Sequence, residues 1–144
     1  MDSADHPQRQ HDLLALHRYY LWANRFRTLF EAAPPGQAGT ALTTDMAFDD
    51  DAVMFMSFWF SGIYAVIEGW HKLVLADPRI DELLESRHVT LLRRFRNDIC
   101  HFQREHGDPQ CLDIVGSREI VPWVRELTLG FGNYFLDAIP PDAA

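Results

Sequence analysis

Residues 52–67 read AVMFMSFWFSGIYAVI, a run of sixteen residues without a formal charge. Asp49, Asp50 and Asp51 precede the run, and Glu68 follows it. A helix that spans a bilayer needs about 20 apolar residues, so this run is short for a membrane span. Three carboxylates at its start suit the positive end of a helix dipole. The run therefore predicts the central, buried helix of an all-α bundle, with no membrane association.

A helical pattern precedes this central segment. Apolar residues recur there at intervals of three and four, as they do on one face of a helix. Pro34-Pro35-Gly36 ends the pattern, which predicts a first helix over 7–33 and a loop over 34–48. The residues of the apolar face are Leu13, Leu16, Tyr20, Ala23, Phe26 and Phe30.

Further core helices are expected over 49–106. The central helix begins at Asp49 or Asp50 and ends near Leu75. Asp77 suits an N-cap and Pro78 a first helical position, which predicts a short helix from Pro78 to Ser86. A fourth helix follows from Val89 to Glu105, and Gly107-Asp108-Pro109 breaks it.

The C-terminal part of the chain predicts a loop over 107–116 and a last helix over 117–138. Ser117 suits the N-cap of this helix, although Pro122 also allows a start at that residue. All 144 residues are thus assigned to one all-α domain of four to five helices. The apolar face of the last helix consists of Ile120, Val124, Leu127, Phe131 and Phe135.

The composition narrows the functional classes. Asp and Glu number 21 and Lys and Arg 13, and this net charge of −8 excludes an overall basic, DNA-coating protein as the default. Cys100 and Cys111 form no metal-binding pattern and are too few for a disulfide framework. The polar N-terminus lacks a secretory signal. We therefore expect a cytoplasmic protein that uses no metal and no cofactor.

The segment 87–106 reverses the overall charge. It holds five arginines against two carboxylates, which leaves a local charge of +3, and it also holds three histidines. Arginine offers planar, permanently charged donors that match phosphate. The segment predicts a binding patch for RNA or a nucleotide. The candidate RNA-binding residues are Arg93, Arg94 and Arg104.

Within this segment, residues 96–101 read RNDICH. On a helix, Asn97 and His101 are four residues apart and would be neighbours. Arg96 and His101 would be separated by about 140°, so one helix alone does not aim both side chains at one point. The face that anchors this helix in the core would consist of Leu92, Phe95, Ile99 and Phe102.

The pattern R-N-x-x-x-H, on a late helix of an all-α bundle, resembles the R-x4-6-H motif of HEPN domains, the higher eukaryote and prokaryote nucleotide-binding fold. The stretches 64–70, 77–81 and 91–103 also resemble small HEPN-like proteins, so the resemblance covers roughly residues 49–103. It implies a metal-independent endoribonuclease that acts on single-stranded RNA, as a toxin or defence effector with an antitoxin-type partner. It also implies a homodimer in which Arg96 and His101 of two subunits meet.

The resemblance implies a role for each residue of the candidate catalytic site. His101 would transfer protons near neutral pH, and Arg96 would stabilise the scissile phosphate. Asn97 would hydrogen-bond the phosphate or orient His101, and the product would be a 2′,3′-cyclic phosphate. Glu68 would hold Arg96 or His101 in position. Alternatively, Glu68 forms a structural ion pair with Arg93 or Arg96, or is simply exposed at the end of its helix.

Two other interpretations stay open. The bundle could bind a nucleotide, a nucleic acid or a protein on the same patch without catalysis, and the acidic net charge favours this because it slows RNA capture. Alternatively, the motif is a coincidence in a structural bundle. Several aromatic residues could stack bases, but their helical spacing predicts a core position instead. These are Tyr19, Tyr20, Trp22, Phe58, Trp59 and Phe60.

Overall fold

The computed structural model describes residues 5–33, 50–102 and 119–143 of the chain. These residues form five α-helices and one short 3₁₀ helix, and they contain no strand. The prediction of an all-α fold is confirmed for this part of the chain. The helices are α1 (Asp5–Ala32), α2 (Asp51–Lys72), α3 (Pro78–Leu83), α4 (His88–Cys100) and α5 (Ile120–Ala138), followed by the 3₁₀ helix Pro141–Ala143.

α2 is the central helix, as the charge-free run predicts. It packs against α1, α4 and α5, and all five helices contribute to one hydrophobic core. Trp59, Phe60 and Trp70 of α2 are among the largest fully buried side chains. Burial of a large apolar side chain contributes roughly 1.5–3 kcal/mol, so α2 supplies much of the driving force for folding.

Small residues on α2 allow α1 to approach closely. A Cβ atom at Gly62 would lie 2.8 Å from the Cβ atom of Ala23, and a Cβ atom at Gly69 would overlap the Leu16 side chain. Along α1, Leu16 precedes Ala23 by seven residues, whereas along α2 the partner of Leu16, Gly69, follows the partner of Ala23, Gly62, by seven residues. α1 and α2 are therefore antiparallel. A side chain at Gly62 would push them apart, because it would meet the Cβ and Cα atoms of Ala23, whereas one at Gly69 would displace the end of the Leu16 side chain.

Three tryptophans connect α2, α3 and α5 through their indole N–H groups. A buried indole N–H requires an acceptor, and each of these finds one on a neighbouring helix. The bonds therefore fix how the helices lie against one another. The pairs are Trp59 Nε1 to Thr128 Oγ1 (3.1 Å), Trp70 Nε1 to Asp81 Oδ1 (3.1 Å) and Trp123 Nε1 to the Leu83 carbonyl oxygen (3.0 Å).

The start of α2 is as predicted, whereas its end comes earlier. The Asp50 carboxylate caps the helix and accepts the Ala52 N–H at 2.8 Å. α2 ends at Lys72 and not near Leu75. The reason is the turn at Val74, whose φ of 54° lies in the left-handed region and stops the helical hydrogen-bond pattern.

The other boundaries differ from the prediction by a few residues. α1 begins at Asp5, and α3 begins at Pro78 with Asp77 as its N-cap, as expected. α5 starts at Ile120, ahead of Pro122. The helix tolerates Pro122 in its first turn because the N–H that proline lacks would have no helical partner there. The predicted loops over 34–48 and 107–116 and the Ser117 N-cap lie outside the described residues.

α2 also has the length and apolar character that a membrane span needs, alone among the helices of the described ranges. Half of its most apolar window is buried inside the protein. The core helix of a bundle has the same composition, and here α1, α4 and α5 pack against α2. The described part of the chain is therefore not that of a multi-span membrane protein.

Candidate functional site

The apolar face of α4 anchors this helix on α2. Leu92 and Phe95 are fully buried, and the Phe95 ring meets the Phe60 ring edge-on with centroids 5.9 Å apart. Ile99 packs against the same core. The predicted anchoring face is confirmed for these three residues of α4.

Phe102, the fourth residue predicted for that face, lies outside the core. α4 ends at Cys100, and His101 already has an extended backbone with φ −108° and ψ 136°. Phe102 is consequently 91% exposed. The prediction that the helix continues to Glu105 is wrong because the backbone leaves the helical conformation at His101, well before the breaking residues at Gly107.

Arg96 and Glu68 form an ion pair that joins α4 to α2. Arg96 Nη2 lies 2.8 Å from Glu68 Oε1, and Arg96 Cζ lies 4.7 Å from the centroid of the Tyr64 ring. Tyr64 and Glu68 are four residues apart on α2, so ring and carboxylate stand on successive turns. The structure thus brings together two of the four residues predicted for the catalytic site.

The contacts of Arg96 orient its side chain more than they stabilise the fold. The Arg96 and Glu68 side chains are 30% and 50% exposed. An exposed ion pair contributes about 0–1 kcal/mol, and an exposed cation–π contact about 0.5–1 kcal/mol. Arg96 Nε is buried without an acceptor among the described residues. Glu68 engages Nη2, and no hydrogen bond or ion pair with a described residue engages Nη1.

Asn97 and His101 are connected through the backbone. The His101 N–H donates to the Asn97 carbonyl oxygen at 3.1 Å and closes the last turn of α4. Both side chains are exposed. Within the described ranges, no hydrogen bond or ion pair joins the imidazole to Arg96 or Glu68. Because His101 caps α4 and does not continue it, the helical angle expected between Arg96 and His101 does not apply.

The other cations of the predicted patch lie at the surface. Arg93 and Arg94 are exposed on α4, which is what a phosphate contact requires. Arg104 lies outside the described residues. Arg87 precedes α4, and its Nη2 lies 3.7 Å from an oxygen of the largely exposed Glu119.

The candidate site lies at the edge between α2 and α4, where the Arg96 and Glu68 side chains are 30% and 50% exposed. Four cavities of about 260 to 530 Å³ lie elsewhere, and neither Glu68, Arg96 nor His101 lines any of these four. In the described residues, no group of three or more His, Cys, Asp and Glu side chains could hold a metal ion. The groups that the structure brings together at this edge are the Arg96 guanidinium, the Glu68 carboxylate and the Tyr64 ring.

Three aromatic residues that the sequence interpretation assigned to the core are exposed. The exposed fractions are 49% for Tyr19, 56% for Trp22 and 47% for Phe58. Trp59 and Phe60 are buried, as expected. For Trp22 the helix phase carries the signal, because this residue lies roughly 120° around α1 from the buried Leu16. Tyr19 lies at roughly 60°, between the angles of Phe30 and Phe26, which pack against the core, so phase alone does not place it outside.

No protein-family model, curated protein or solved structure matches this chain. The class of protein that the fold defines is an all-α helical bundle. None of these comparisons tests the resemblance of residues 49–103 to HEPN domains.

Proposed function

We propose that this chain is a metal-independent endoribonuclease of the HEPN type that cleaves single-stranded RNA. The observation that carries the proposal is the anchored guanidinium of Arg96, held by Glu68 at 2.8 Å and by the Tyr64 ring. An arginine fixed in this way is preorganised to bind a phosphate and to stabilise charge in the transition state. The proposed setting is the cytoplasm, with the protein acting as a toxin or defence effector.

In the proposed reaction, His101 accepts the proton of the 2′-hydroxyl group, and the 2′-oxygen attacks the adjacent phosphorus. The bond from phosphorus to the 5′-oxygen breaks, and that oxygen takes up a proton. The products are a 2′,3′-cyclic phosphate and a 5′-hydroxyl end. Arg96 stabilises the charge that develops on the non-bridging oxygens, and Asn97 donates a hydrogen bond to the phosphate or orients His101.

A second copy of the chain completes the proposed site. Arg96 is held against α2, whereas His101 stands beyond the end of α4. In the described part of one chain, no side-chain contact joins the two groups. In the proposed homodimer, Arg96 of one subunit and His101 of the other act on the same phosphate. An antitoxin-type protein would inhibit the enzyme by covering this edge.

Non-catalytic binding of a nucleotide, a nucleic acid or a protein is the second candidate function. Two observations favour it. Glu68 partly neutralises Arg96, and within the described ranges no polar side chain orients the His101 imidazole as a general base requires. On this alternative, the same edge binds its ligand and releases it unchanged.

Incubation of labelled single-stranded RNA with the protein in EDTA tests the proposed function. We expect Arg96→Ala and His101→Ala to lower the cleavage rate by roughly 10²-fold or more. Arg79→Ala and His71→Ala are matched controls, because both residues are exposed on other helices. The wild-type products should carry 2′,3′-cyclic phosphate ends.

Two results would decide against the ribonuclease. Cleavage that persists equally in both site variants removes Arg96 and His101 from the mechanism. RNA binding that is lost in Arg96→Ala, with no cleavage by the wild type at any pH, assigns the protein to the binding alternative. Analytical ultracentrifugation of the wild type measures whether the dimer forms.

A further inference from the structure

The outer surface of α1 carries two aromatic residues between two arginines. Tyr19 and Trp22 are about half exposed, and their ring centroids are 5.5 Å apart in a T-shaped arrangement. Arg18 and Arg25 are exposed and lie four residues before and three residues after Trp22, so they flank its ring along the helix. We call these four residues the α1 ridge.

The α1 ridge is basic in an acidic protein. Residues 13–30 contain three arginines and no carboxylate, although the chain carries a net charge of −8. Arg27 pairs with Glu31 at 2.7 Å. Arg18 and Arg25, by contrast, form no ion pair with any residue that the structure describes. The ridge therefore offers two guanidinium groups to an anionic ligand.

A third exposed aromatic residue, Phe58 of α2, lies on the same side of the molecule. The ridge aromatics lie roughly 60° and 120° around α1 from Leu16, which contacts α2. Phe26 lies in the same direction, and its ring centroid is 5.3 Å from that of Phe58. On the other side of Leu16, Tyr20 packs on Phe135 of α5. The exposed rings of α1 and α2 thus share one surface, which faces away from α5.

The Glu68–Arg96 pair borders this surface. Gly62 faces α1, and Phe58 and Glu68 lie roughly 40° and 120° from it in the same direction around α2. Glu68 therefore stands at the edge of the outward strip of α2 where α4 packs, and Ala65 lies between. Phe58 and Glu68 are about 15 Å apart along the helix axis. Between them, Ser61 is buried and Ala65 half-buried, so the accessible groups of this face are Phe58 at one end and Glu68 with Arg96 at the other.

We propose that the α1 ridge and Phe58 form a platform that binds the unpaired bases of single-stranded RNA. Exposed aromatic rings stack on bases of any sequence, and flanking arginines neutralise phosphates. The platform holds the strand next to the phosphate that Arg96 binds, and this part of the inference rests on the proposed function. It explains how an acidic protein retains RNA, since the contacts are gathered on one basic surface.

The alternation of rings and guanidinium groups favours RNA over a lipid surface as the occupant. Arg18 and Arg25 bracket Trp22 along the axis of α1, and single-stranded RNA likewise alternates bases with phosphates. A helix that lies on a lipid surface instead separates a broad apolar face from its basic face. Stacking on a base keeps both guanidinium groups beside the phosphates of the same strand.

Fluorescence anisotropy with a labelled, 2′-O-methylated single-stranded oligonucleotide tests the platform separately from cleavage, because the blocked 2′-oxygen cannot attack. We expect the double variant Tyr19→Ala/Trp22→Ala to bind roughly 5- to 100-fold more weakly than the wild type. Trp22→Phe keeps a ring and should retain most of the affinity. Leu129→Ala, at a similarly exposed apolar residue of α5, is the matched control and should bind as the wild type does.

The salt dependence of binding reports the phosphate contacts. Replacement of Arg18 and Arg25 by alanine should lower the slope of log K against log salt by about 1.4, because each phosphate contact on a single strand contributes about 0.7. All these substitutions are at exposed residues, and circular dichroism checks that each variant keeps its helices.

The possible results separate this inference from the proposed function. Unchanged binding by Tyr19→Ala/Trp22→Ala overturns the platform, even where the wild type cleaves RNA. Binding that depends on the platform, without any cleavage of unmodified RNA, supports the platform and removes the ribonuclease. A wild type that binds anionic lipid vesicles but not the oligonucleotide overturns the platform in favour of a membrane surface.

Discussion

Glu68 Oε1 lies 2.8 Å from Arg96 Nη2, and this contact joins α2 to α4 at the candidate site. We predict that Glu68→Gln lowers RNA cleavage by roughly 10- to 100-fold, because the guanidinium loses the charged partner that orients it. The free energy of unfolding should fall by only about 0–1 kcal/mol, as for other exposed pairs. A cleavage assay and chemical denaturation measure the two quantities.

An Arg96→Ala background provides the control for this prediction. If Glu68 acts by positioning Arg96, then Glu68→Gln has no further effect on cleavage once the guanidinium is absent. An equal loss of activity in both backgrounds would contradict the positioning role, since Glu68 would then act independently of Arg96.

The apolar pattern of the sequence predicts the buried part of this fold, because burial follows the periodicity of each helix. The charge-free run gives α2 as the core helix, and the repeating apolar residues give the inward faces of α1 and α5. Asp77 and Pro78 mark the start of α3 through their local backbone chemistry. In each case, the determinant lies within a few residues of the element that it specifies.

The sequence does not predict features that depend on helix phase or on neighbouring helices. Trp22 is apolar enough for a core, and its angle of roughly 120° from Leu16 indicates that it faces outward. Tyr19 has nearly the same angle as Phe26, which packs against the core, so its exposure follows from tertiary packing. The end of α4 at Cys100 has no glycine or proline signal, so the sequence pattern predicts a core position for Phe102, which the structure exposes. For Glu68, the sequence leaves several partners open, and the relative rotation of α2 and α4 selects Arg96.

The close contact of α1 and α2 predicts that Gly62→Ala is destabilising. The new Cβ atom would lie 2.8 Å from that of Ala23, and overpacking of this kind costs about 1–3 kcal/mol. Gly130→Ala is the matched control, because its Cβ atom would have an ordinary 3.4 Å contact with Ile80 and would gain up to about 1 kcal/mol of helix propensity. Thermal denaturation of both variants measures the difference, and equal melting temperatures would contradict it.

The left-handed backbone at Val74 predicts that Val74→Gly stabilises the protein. Val74 has a φ of 54° and is 82% exposed, so its side chain adds strain and little packing. An L-residue in this region costs roughly 1–2 kcal/mol, and the greater flexibility of glycine in the unfolded chain offsets about 0.5–1 kcal/mol of that. We expect a net gain of up to about 1 kcal/mol in urea denaturation. Val74→Ala keeps the Cβ atom and should gain less than glycine does.

The hydrogen bond between Trp59 and Thr128 predicts a large effect of Thr128→Val. Trp59 Nε1 donates to Thr128 Oγ1 at 3.1 Å, and both residues are buried. Valine preserves the shape but removes the acceptor, so the indole N–H is left unsatisfied at a cost of about 1–3 kcal/mol. Thr128→Ser keeps the hydroxyl group and should retain the bond. If serine destabilises the protein more than valine does in chemical denaturation, packing of the methyl group and not the hydrogen bond determines stability here.

Burial of His17 between α1 and α5 predicts a pH-dependent stability. The imidazole stacks on Tyr20, and its ring centroid lies 5.0 Å from that of Phe135. Burial lowers the pKa of His17 from its ordinary value of 6.5. The unfolded chain therefore takes up this proton before the folded protein does, so stability is full above about pH 6.5 and declines as the pH falls towards the folded-state pKa. His17→Phe keeps a ring and removes the titration. Urea denaturation measures the free energy of unfolding of the wild type relative to His17→Phe, and this difference should fall as the pH is lowered from about 7 to about 5. A difference that stays constant with pH would mean that His17 titrates alike in the folded and unfolded states.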